Sequence, residues 1–263
     1  MTAIAHPPEN LEGWYVLHQI HRLSRRHVVE AGAETLDGWL ARAREAVAEQ
    51  SRGVEGWSAV VGLIGSRAQV MVMHFRPTLD ALGEAERKLA ALPLFDAVEP
   101  AYSFLSVTEA GLYHLTAELA REAAGRGGAV GDEAYRAAVA ARSGAERESA
   151  HVRRRLYPAI PPDMPYVCFY PMTKRRDAGQ NWYTLTLDER SRLMHTHGLT
   201  GRRYAGRVVQ VISGAIGLDA WEWGVTLFAK DPLDFKKLVT DMRFDEVSAK
   251  YAEFGEFYVG RLV

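Results

Sequence analysis

The chain has 263 residues, enough for one large domain or two small ones with a sizeable buried core. Its 32 lysines and arginines nearly balance 33 aspartates and glutamates, so the net charge of −1 gives no argument for nucleic acid or an anionic membrane as a partner. A single cysteine, Cys168, excludes an internal disulfide and a multi-cysteine metal site.

The first residues, MTAIAHPPENLEGW, contain neither the basic region nor the apolar run that is typical of a signal peptide. No apolar stretch in the sequence reaches the length of a membrane-spanning helix. We therefore expect a cytoplasmic protein with no membrane partner.

The first half of the chain shows apolar periodicities that predict the order β-α-β-β-α-β. Strand patterns occupy residues 14–23, 57–64, 69–75 and 102–109. Helical patterns occupy residues 33–50 and 77–92, and Pro77 suits the first turn of a helix. A short Gly-Ser-Arg-Ala turn separates the second and third strands, so we expect a hairpin there.

The second half of the chain repeats this order. Strand patterns occupy residues 166–174, 207–213, 220–229 and 254–262, and helical patterns occupy residues 187–197 and 232–242. The segments MHFRPTLDALGEAERKL and LFAKDPLDFKKLV take equivalent places, each with a strand, a proline and a helix. We therefore predict an α+β protein with two ferredoxin-like halves, residues 1–124 and 156–263.

Residues 125–155 separate the two halves and form a variable loop in this prediction. They begin with glycine, continue with alanine and charged residues, and contain almost no aromatic side chains. A connection of this length is typical of a functional or a disordered loop, and we interpret most of it as a mobile linker with little helix. Its end differs, because Arg153, Arg154 and Arg155 directly precede a proline-rich stretch.

The stretch from residue 166 to residue 198, YVCFYPMTKRRDAGQNWYTLTLDERSRLMHTHG, combines a strand with a helix. Alternation places the side chains of Tyr170, Met172 and Lys174 on one side of the strand. Pro171 lacks a backbone N–H, which predicts a strand that lies at the edge of the sheet or ends there.

The helix of this stretch carries start and stop signals. Thr186 and Glu189 have the spacing of a capping box, and Gly198 is typical of the residue just after a helix. His197 lies on the apolar stripe of the helix, whereas His195 points roughly 200° away from it. The residues leave two readings open for His197, a metal or haem ligand and a core histidine near the helix end.

A polar residue in the strand RVVQVISG presents a similar choice. Gln210 shares one face of this strand with Val208 and Ile212. A buried amide without a partner costs roughly 1–3 kcal/mol, so Gln210 either bonds the backbone or faces a cavity with a polar occupant. The cationic runs 153–155 and 174–176 are solvated unless they meet around a ligand with several carboxylates, which guanidinium groups suit.

Other classes of site find little support in the sequence. The segment GAIGLDA lies within a predicted hairpin and not between a strand and a helix, so it is no dinucleotide-binding loop. There is no Walker sequence, GxSxG elbow or HExxH motif. His18 and His21 alternate to opposite sides of a predicted strand, which argues against a shared metal ion. Cys168 lies in an apolar strand, and we interpret it as core packing.

Several segments together resemble the chlorite dismutase-like family, and within it the coproheme decarboxylase branch. They are CFYPMTKRR, NWYTL, MHTHGLTGRRYAG, VVQVISGAIGLDAWEWGVTLF and MRFDEVSAKYAEFGEFYVG. The resemblance covers nearly the whole chain and is most specific after residue 157. It implies an α+β barrel built from two ferredoxin-like halves of one chain, usually assembled as a homopentamer, with a haem pocket in the C-terminal half.

The resemblance also implies roles for individual residues. His197 matches the family's proximal iron ligand, and Tyr170 matches the tyrosine that becomes the oxidising radical. Lys174 matches a lysine that contacts the reacting propionates. The residues matched to propionate binding are Arg155, whose spacing leaves Arg154 as the alternative, and the hydroxyl donors Tyr113 and Ser248.

Gln210 stands where chlorite-degrading members of the family carry an arginine, so the resemblance implies poor chlorite chemistry. The expected reaction uses hydrogen peroxide to decarboxylate two propionates of iron-coproporphyrin III (coproheme), with haem b as the product. A ferrochelatase that supplies coproheme is then an expected transient partner. Two alternatives stay open: a non-catalytic haem-binding or trafficking protein, and a chlorite dismutase-like or peroxidase haem enzyme.

Overall fold

The computed structural model describes residues 6–24 and 36–263 and contains an antiparallel sheet that closes on itself, with helices outside it. The first half supplies the strands β1 (Asn10–Leu23), β2 (Trp57–Leu63), β3 (Val70–Arg76) and β4 (Val98–Gly111). Its sheet order is β4-β1-β3-β2, as in a ferredoxin-like unit. Helices α1 (Leu36–Gln50) and α2 (Leu79–Ala90) follow β1 and β3. The first three residues of the predicted first helix, 33–35, lie outside the described ranges.

Helices occupy most of residues 125–155, so the expectation of only a little helix there is wrong. They are α4 (Glu133–Glu148) and α5 (Ala150–Leu156), and α3 (Tyr113–Gly125) precedes them at the end of the first half. The side chains of Asp132 and Ser149 cap α4 and α5 by accepting hydrogen bonds from backbone N–H groups. Tyr135 of α4 is buried against Leu115 and Leu119 of α3, and this one aromatic anchor holds a helix whose composition looked like a linker.

The second half repeats the first. Its strands are β5 (Tyr166–Lys174), β6 (Val208–Gly214), β7 (Trp223–Ala229), the short β8 (Ala252–Phe254) and β9 (Tyr258–Leu262). Its helices are α6 (Leu187–Arg202), α7 (Leu233–Arg243) and α8 (Glu246–Tyr251). The order β6-β7-β5-β9 mirrors that of the first half, which confirms the predicted duplication.

Two seams join the halves into a barrel, as the predicted fold class requires. β4 pairs with β6 at one seam, and β2 pairs with β9 at the other. At the second seam the backbones approach so closely that a Cβ on Gly260 would lie 2.2 Å from the carbonyl oxygen of Gly62. Glycine is therefore required at position 260 for the barrel to close in this register.

Apolar side chains fill both the barrel interior and the spaces under the helices. Interior residues from both halves include Val16, Ile20, Met73, Phe104, Phe169, Phe228 and Tyr258. On the outer face of the second half, Cys168, Tyr170, Val225 and Leu227 pack against residues of α7 and against Tyr204 in the turn after α6. Burial of each large apolar side chain contributes about 1.5–3 kcal/mol to the free energy of folding. Successive side chains of a strand point alternately into the barrel and toward the helices, so each strand supplies both apolar layers.

The structure corrects two local predictions in the stretch from residue 166 to residue 198. β5 does not lie at an edge or end at Pro171: it pairs with β7 on one side and with β9 and then β8 on the other. Pro171 falls at the gap between those two partners, where only its carbonyl is used, by Gly255 N–H. Helix α6 also continues through Gly198 to Arg202. Within the described ranges, no helix is long and apolar enough to cross a membrane.

Candidate functional site

The candidate site lies on the outer face of the second half, where β5 and β6 are covered by α6, α7 and α8. Tyr170 packs into the cluster on this face, and Lys174 follows it on the same strand at period-2 spacing. Gln210 of β6 pairs with Leu227 of β7, which in turn pairs with Cys168 of β5. The predicted alternation of both strands is therefore correct, and it brings the three polar side chains to one surface.

Tyr170 is held among aromatic rings. Its side chain is 8% exposed, it stacks on Phe257 with ring centroids 4.3 Å apart, and Phe254 lies 5.9 Å away at a tilt. Burial raises the pKa of the Tyr170 phenol well above its usual range, and the Arg243 guanidinium only partly opposes this. The group is thus a neutral, rigidly placed phenol that can give up an electron and a proton together.

Lys174 is a buried cation at the end of the same strand. Its ammonium nitrogen lies 4.5 Å from the centroid of the Trp182 ring, a cation–π arrangement, and its backbone N–H donates to Glu222 at 2.7 Å. Burial lowers the pKa of Lys174 to about 8, while the nearby carboxylates of Asp245 and Glu222 act in the opposite direction. An anionic ligand that reached this point would pair with the Lys174 ammonium group, which folding has already removed from water.

His197 projects from α6, which starts with the predicted capping box between Thr186 and Glu189. Its Nδ1 lies 2.6 Å from Oδ2 of Asp245, a buried carboxylate at the start of α8. A carboxylate on Nδ1 fixes the orientation of the ring and leaves Nε2 for a ligand. His195 is exposed, as its position around the helix predicts.

The remaining predicted residues surround this centre on other elements. Ser248 is buried on α8, and its backbone N–H donates to the carbonyl of Asp245 at 3.1 Å. Tyr113 begins α3 with its ring centroid 6.4 Å from that of Trp182; burial, with a smaller effect of Glu109, raises its pKa to about 12. The ring of Trp182 therefore contacts both Tyr113 and the Lys174 ammonium group.

Arg155 lies at the end of α5, next to Glu109 of β4. Its guanidinium is half-buried and lies 3.5 Å from the Glu109 carbonyl, at the limit of a hydrogen bond. Burial lowers the pKa of Arg155, and the charge of Glu109 opposes this. Arg154 is exposed, so Arg155 is the arginine of this pair that packs against β4.

Sequence reasoning missed several groups that complete the site: Asp245, Glu109, Trp182, Glu222 and Arg190. Asp245 is 48 residues from His197, and only its place directly before a short helix hinted at a role. Glu109 accepts a hydrogen bond from Trp223 Nε1 at 2.8 Å, and burial raises its pKa. Long-range pairs of this kind leave no spacing signal.

His18 and His21 do not form a metal site. His18 is buried in the barrel interior, bonded to Thr226 at 2.9 Å and stacked on Phe169, whereas His21 lies on the other face near Phe95. In the described part of the chain, no cluster of three His, Cys, Asp or Glu side chains could hold a metal ion. Cys168 is buried, and burial raises the pKa of its thiol to about 12, as expected of core packing.

Together the fold and this pocket define a class of protein: a duplicated α+β barrel whose second half carries a carboxylate-backed histidine opposite a phenol, an ammonium group and an amide. Residues 37–263 match the family described as Chlorite dismutase. The chain belongs to the chlorite dismutase family.

Two solved structures are similar to this chain. A protein described as a novel heme-binding protein from Thermus thermophilus shares 38% identity with this chain, with a TM-score of 0.78, and the match covers 99% of this chain and 95% of that one. Chlorite dismutase from Candidatus Nitrospira defluvii, in complex with imidazole, matches with 18% identity and a TM-score of 0.67 over 96% of this chain and 92% of its own. At that identity the second match supports the fold alone.

Proposed function

We propose that this protein binds coproheme and uses hydrogen peroxide to decarboxylate two of its propionates, giving haem b. One observation carries the proposal: Tyr170 and Lys174 share one strand face, and the carboxylate of Asp245, which bonds His197, also acts on Lys174. A ligand-binding histidine alone would suit a carrier. A buried phenol and a buried ammonium group on one strand face add an oxidisable side chain and a carboxylate partner.

The donor set fits an iron porphyrin. His197 offers one nitrogen, and no group of three protein ligands is present among the described residues, so an iron bound here needs a macrocycle for its other bonds. The likeness to a protein described as heme-binding supports the same ligand. The bound iron supplies the centre at which peroxide is reduced.

Tyr170 performs the oxidation in this proposal. For each propionate, the carboxylate, one hydrogen peroxide and one proton give a vinyl group, carbon dioxide and two waters. One oxidising equivalent of the peroxide removes an electron and a proton from the Tyr170 phenol, and the phenoxyl takes hydrogen from the propionate β-carbon. The C–C bond to the carboxylate then breaks, which releases carbon dioxide and one electron. The second oxidising equivalent of the peroxide accepts this electron.

The other residues hold the substrate's carboxylates. Lys174 pairs with a reacting propionate, and Arg155, Tyr113 and Ser248 bind the rest through charge-assisted hydrogen bonds. Gln210 contributes a neutral amide that lies against Gly201 of α6. A Cβ added to Gly201 would be 3.5 Å from the Gln210 Nε2 atom. A neutral side chain there offers no charge to hold chlorite, which argues against the chlorite-degrading alternative.

Two assembly proposals rest on the same resemblance. The protein forms a homopentamer, and a ferrochelatase delivers coproheme to it. The first is tested by the mass of the particle in multi-angle light scattering, and the second by coproheme transfer between the two purified proteins.

The deciding experiment loads the protein with ferric coproheme, titrates hydrogen peroxide and follows the porphyrin by mass spectrometry. We expect two successive losses of a carboxyl group with peroxide consumed in step. Tight binding with bleaching alone would overturn the enzyme proposal in favour of a haem carrier. Oxygen evolution on addition of chlorite would favour the chlorite dismutase-like alternative.

A further inference from the structure

Arg190 is a buried cation that the proposed reaction does not use. It lies on α6, two turns before His197 and on the same side of the helix, because residues seven apart return to one face. It is 3% exposed, and Leu193 is the other buried residue of this helix. The inward stripe of α6 therefore carries a guanidinium group and an imidazole.

This guanidinium group has little to neutralise it. One terminal nitrogen donates to the backbone carbonyl of His6, and Nε is buried with no hydrogen-bond partner. Among the described residues, the groups whose charges act on Arg190 are the phenols of Tyr113 and Tyr183, and no carboxylate pairs with it. A buried charge without a counter-ion costs several kcal/mol, so this site is incomplete as it stands.

Tyr113 links Arg190 to the pocket, because α3, which begins at Tyr113, packs on α6, and Tyr113 lies in the same apolar cluster as Leu193, the other buried residue of α6. Tyr113 is one of the side chains matched to propionate binding, and its ring lies against Trp182, which in turn lies against the Lys174 ammonium group. The positive charge of Arg190 lowers the pKa of Tyr113, opposing the larger effect of burial. In a medium of low dielectric, a cation behind a phenol makes its O–H a stronger donor.

We propose that Arg190 is a positioning residue for a substrate carboxylate, acting through Tyr113: its buried charge strengthens the Tyr113 hydroxyl as a donor and supplies the counter-charge. This inference rests on the proposed function, since it takes the carboxylate to be that of a porphyrin. It differs from the role of Arg155, which lies on α5 beside Glu109. The carboxylate completes the charge balance that Arg190 lacks.

The test compares two iron porphyrins: coproheme, with four carboxylates, and iron etioporphyrin, which has ethyl groups in place of propionates. Dissociation constants are measured from the Soret band for wild type, Arg190→Gln, Arg190→Lys and the matched control Arg192→Gln, whose side chain is exposed two positions along α6. We expect Arg190→Gln to weaken coproheme binding about tenfold or more while iron etioporphyrin changes less than about threefold. Arg190→Lys keeps the charge and should stay within about threefold of wild type, as should Arg192→Gln.

A double-mutant cycle separates this role from a purely structural one. Adding Tyr113→Phe to Arg190→Gln should cost little more coproheme affinity than either change alone, since the two residues act as a unit. Additive losses would overturn the proposal, and so would equal weakening for both porphyrins. If Arg190→Gln does not fold, Arg190→Met, which keeps the length of the side chain but removes its charge, takes its place: loss of coproheme binding alone supports the proposal, and an equal loss of both porphyrins would mark Arg190 as a tether for the His6 carbonyl. These binding measurements need no peroxide, so they can be interpreted even if the protein does not decarboxylate coproheme.

Discussion

His197 of α6 and Asp245 at the start of α8 form a short contact, with Nδ1 and Oδ2 2.6 Å apart and the Asp245 side chain 3% exposed. The same carboxylate acts on Lys174, whose pKa it helps to hold up against burial. One aspartate therefore orients the imidazole and partly balances the ammonium group. A change at position 245 is expected to affect both.

Replacing Asp245 with Asn keeps the shape of the contact but removes its charge. We expect haem affinity to fall about 10- to 100-fold, as for other partners of metal-bound histidines, and the iron reduction potential to rise because the imidazole becomes a weaker donor. Spectroelectrochemistry and Soret titration measure the two effects. Asp241→Asn is the control, since Asp241 is a half-exposed acid bonded to the Tyr204 hydroxyl. An unchanged potential in Asp245→Asn would contradict the assigned contact.

Tyr170→Phe should separate binding from chemistry. The ring remains to stack on Phe257, so we expect the free energy of unfolding to change by less than about 1.5 kcal/mol and coproheme to bind as before. Peroxide-driven loss of carboxyl groups should disappear, because phenylalanine has no O–H to oxidise. Tyr258→Phe, a buried tyrosine of the barrel interior, is the matched control and should turn over normally. Normal turnover in Tyr170→Phe would remove this residue from the mechanism.

The repeated β-α-β-β-α-β order was enough to predict two ferredoxin-like halves, whereas their closure into one barrel was expected only from the family resemblance. Local signals also held where partners are close in sequence: Thr186 and Glu189 form the capping box, three residues apart. Periodicity placed Tyr170 and Lys174 on one face without any tertiary information. These features depend on backbone geometry, which a sequence encodes locally.

Features that depend on distant partners were wrong or missed. Gly198 looked like a helix end, but α6 runs on through Gly201, which packs closely against Met242 and Gln210. Pro171 looked like an edge residue because the break between two partner strands cannot be read from the strand itself. Asp245 acquires its role from a contact with His197 across 48 residues, and Arg190 is bonded to the carbonyl of His6 across 184 residues. Tertiary packing overrides local preference at each of these places.

Lys174 should give coproheme binding a pH limit. Burial lowers its pKa from 10.5 to about 8, so in the free protein the ammonium group is lost as the pH rises through about 8. We expect coproheme affinity to fall by up to about tenfold per pH unit above that point, and Lys174→Gln to abolish this slope. Lys250→Gln, a change at a half-exposed lysine near Tyr251, should retain it.

The same shift predicts the sign of a stability effect. Because the folded pKa of Lys174 lies below the unfolded one, the cost of burying its charge is fully present below about pH 8 and is relieved between pH 8 and 10.5. The wild-type free energy of unfolding should therefore rise over this window relative to that of Lys174→Gln. Parallel curves from urea unfolding for the two proteins would contradict the burial of the charged group.

His18 predicts an effect of the same sign at low pH. Burial, aided by His74, lowers its pKa to about 3, so the folded protein keeps His18 neutral while the unfolded chain protonates it near pH 6.5. The unfolded state then binds more protons, and stability falls as the pH falls from about 6.5 toward 3, by about 1.4 kcal/mol per pH unit for this residue. His18→Gln should lose the Thr226 contact but show a pH slope smaller by that amount, whereas His195→Gln, at an exposed site, should leave the slope unchanged. Urea unfolding between pH 6 and 4 measures the slopes, and equal slopes in wild type and His18→Gln would show that this histidine does not resist protonation.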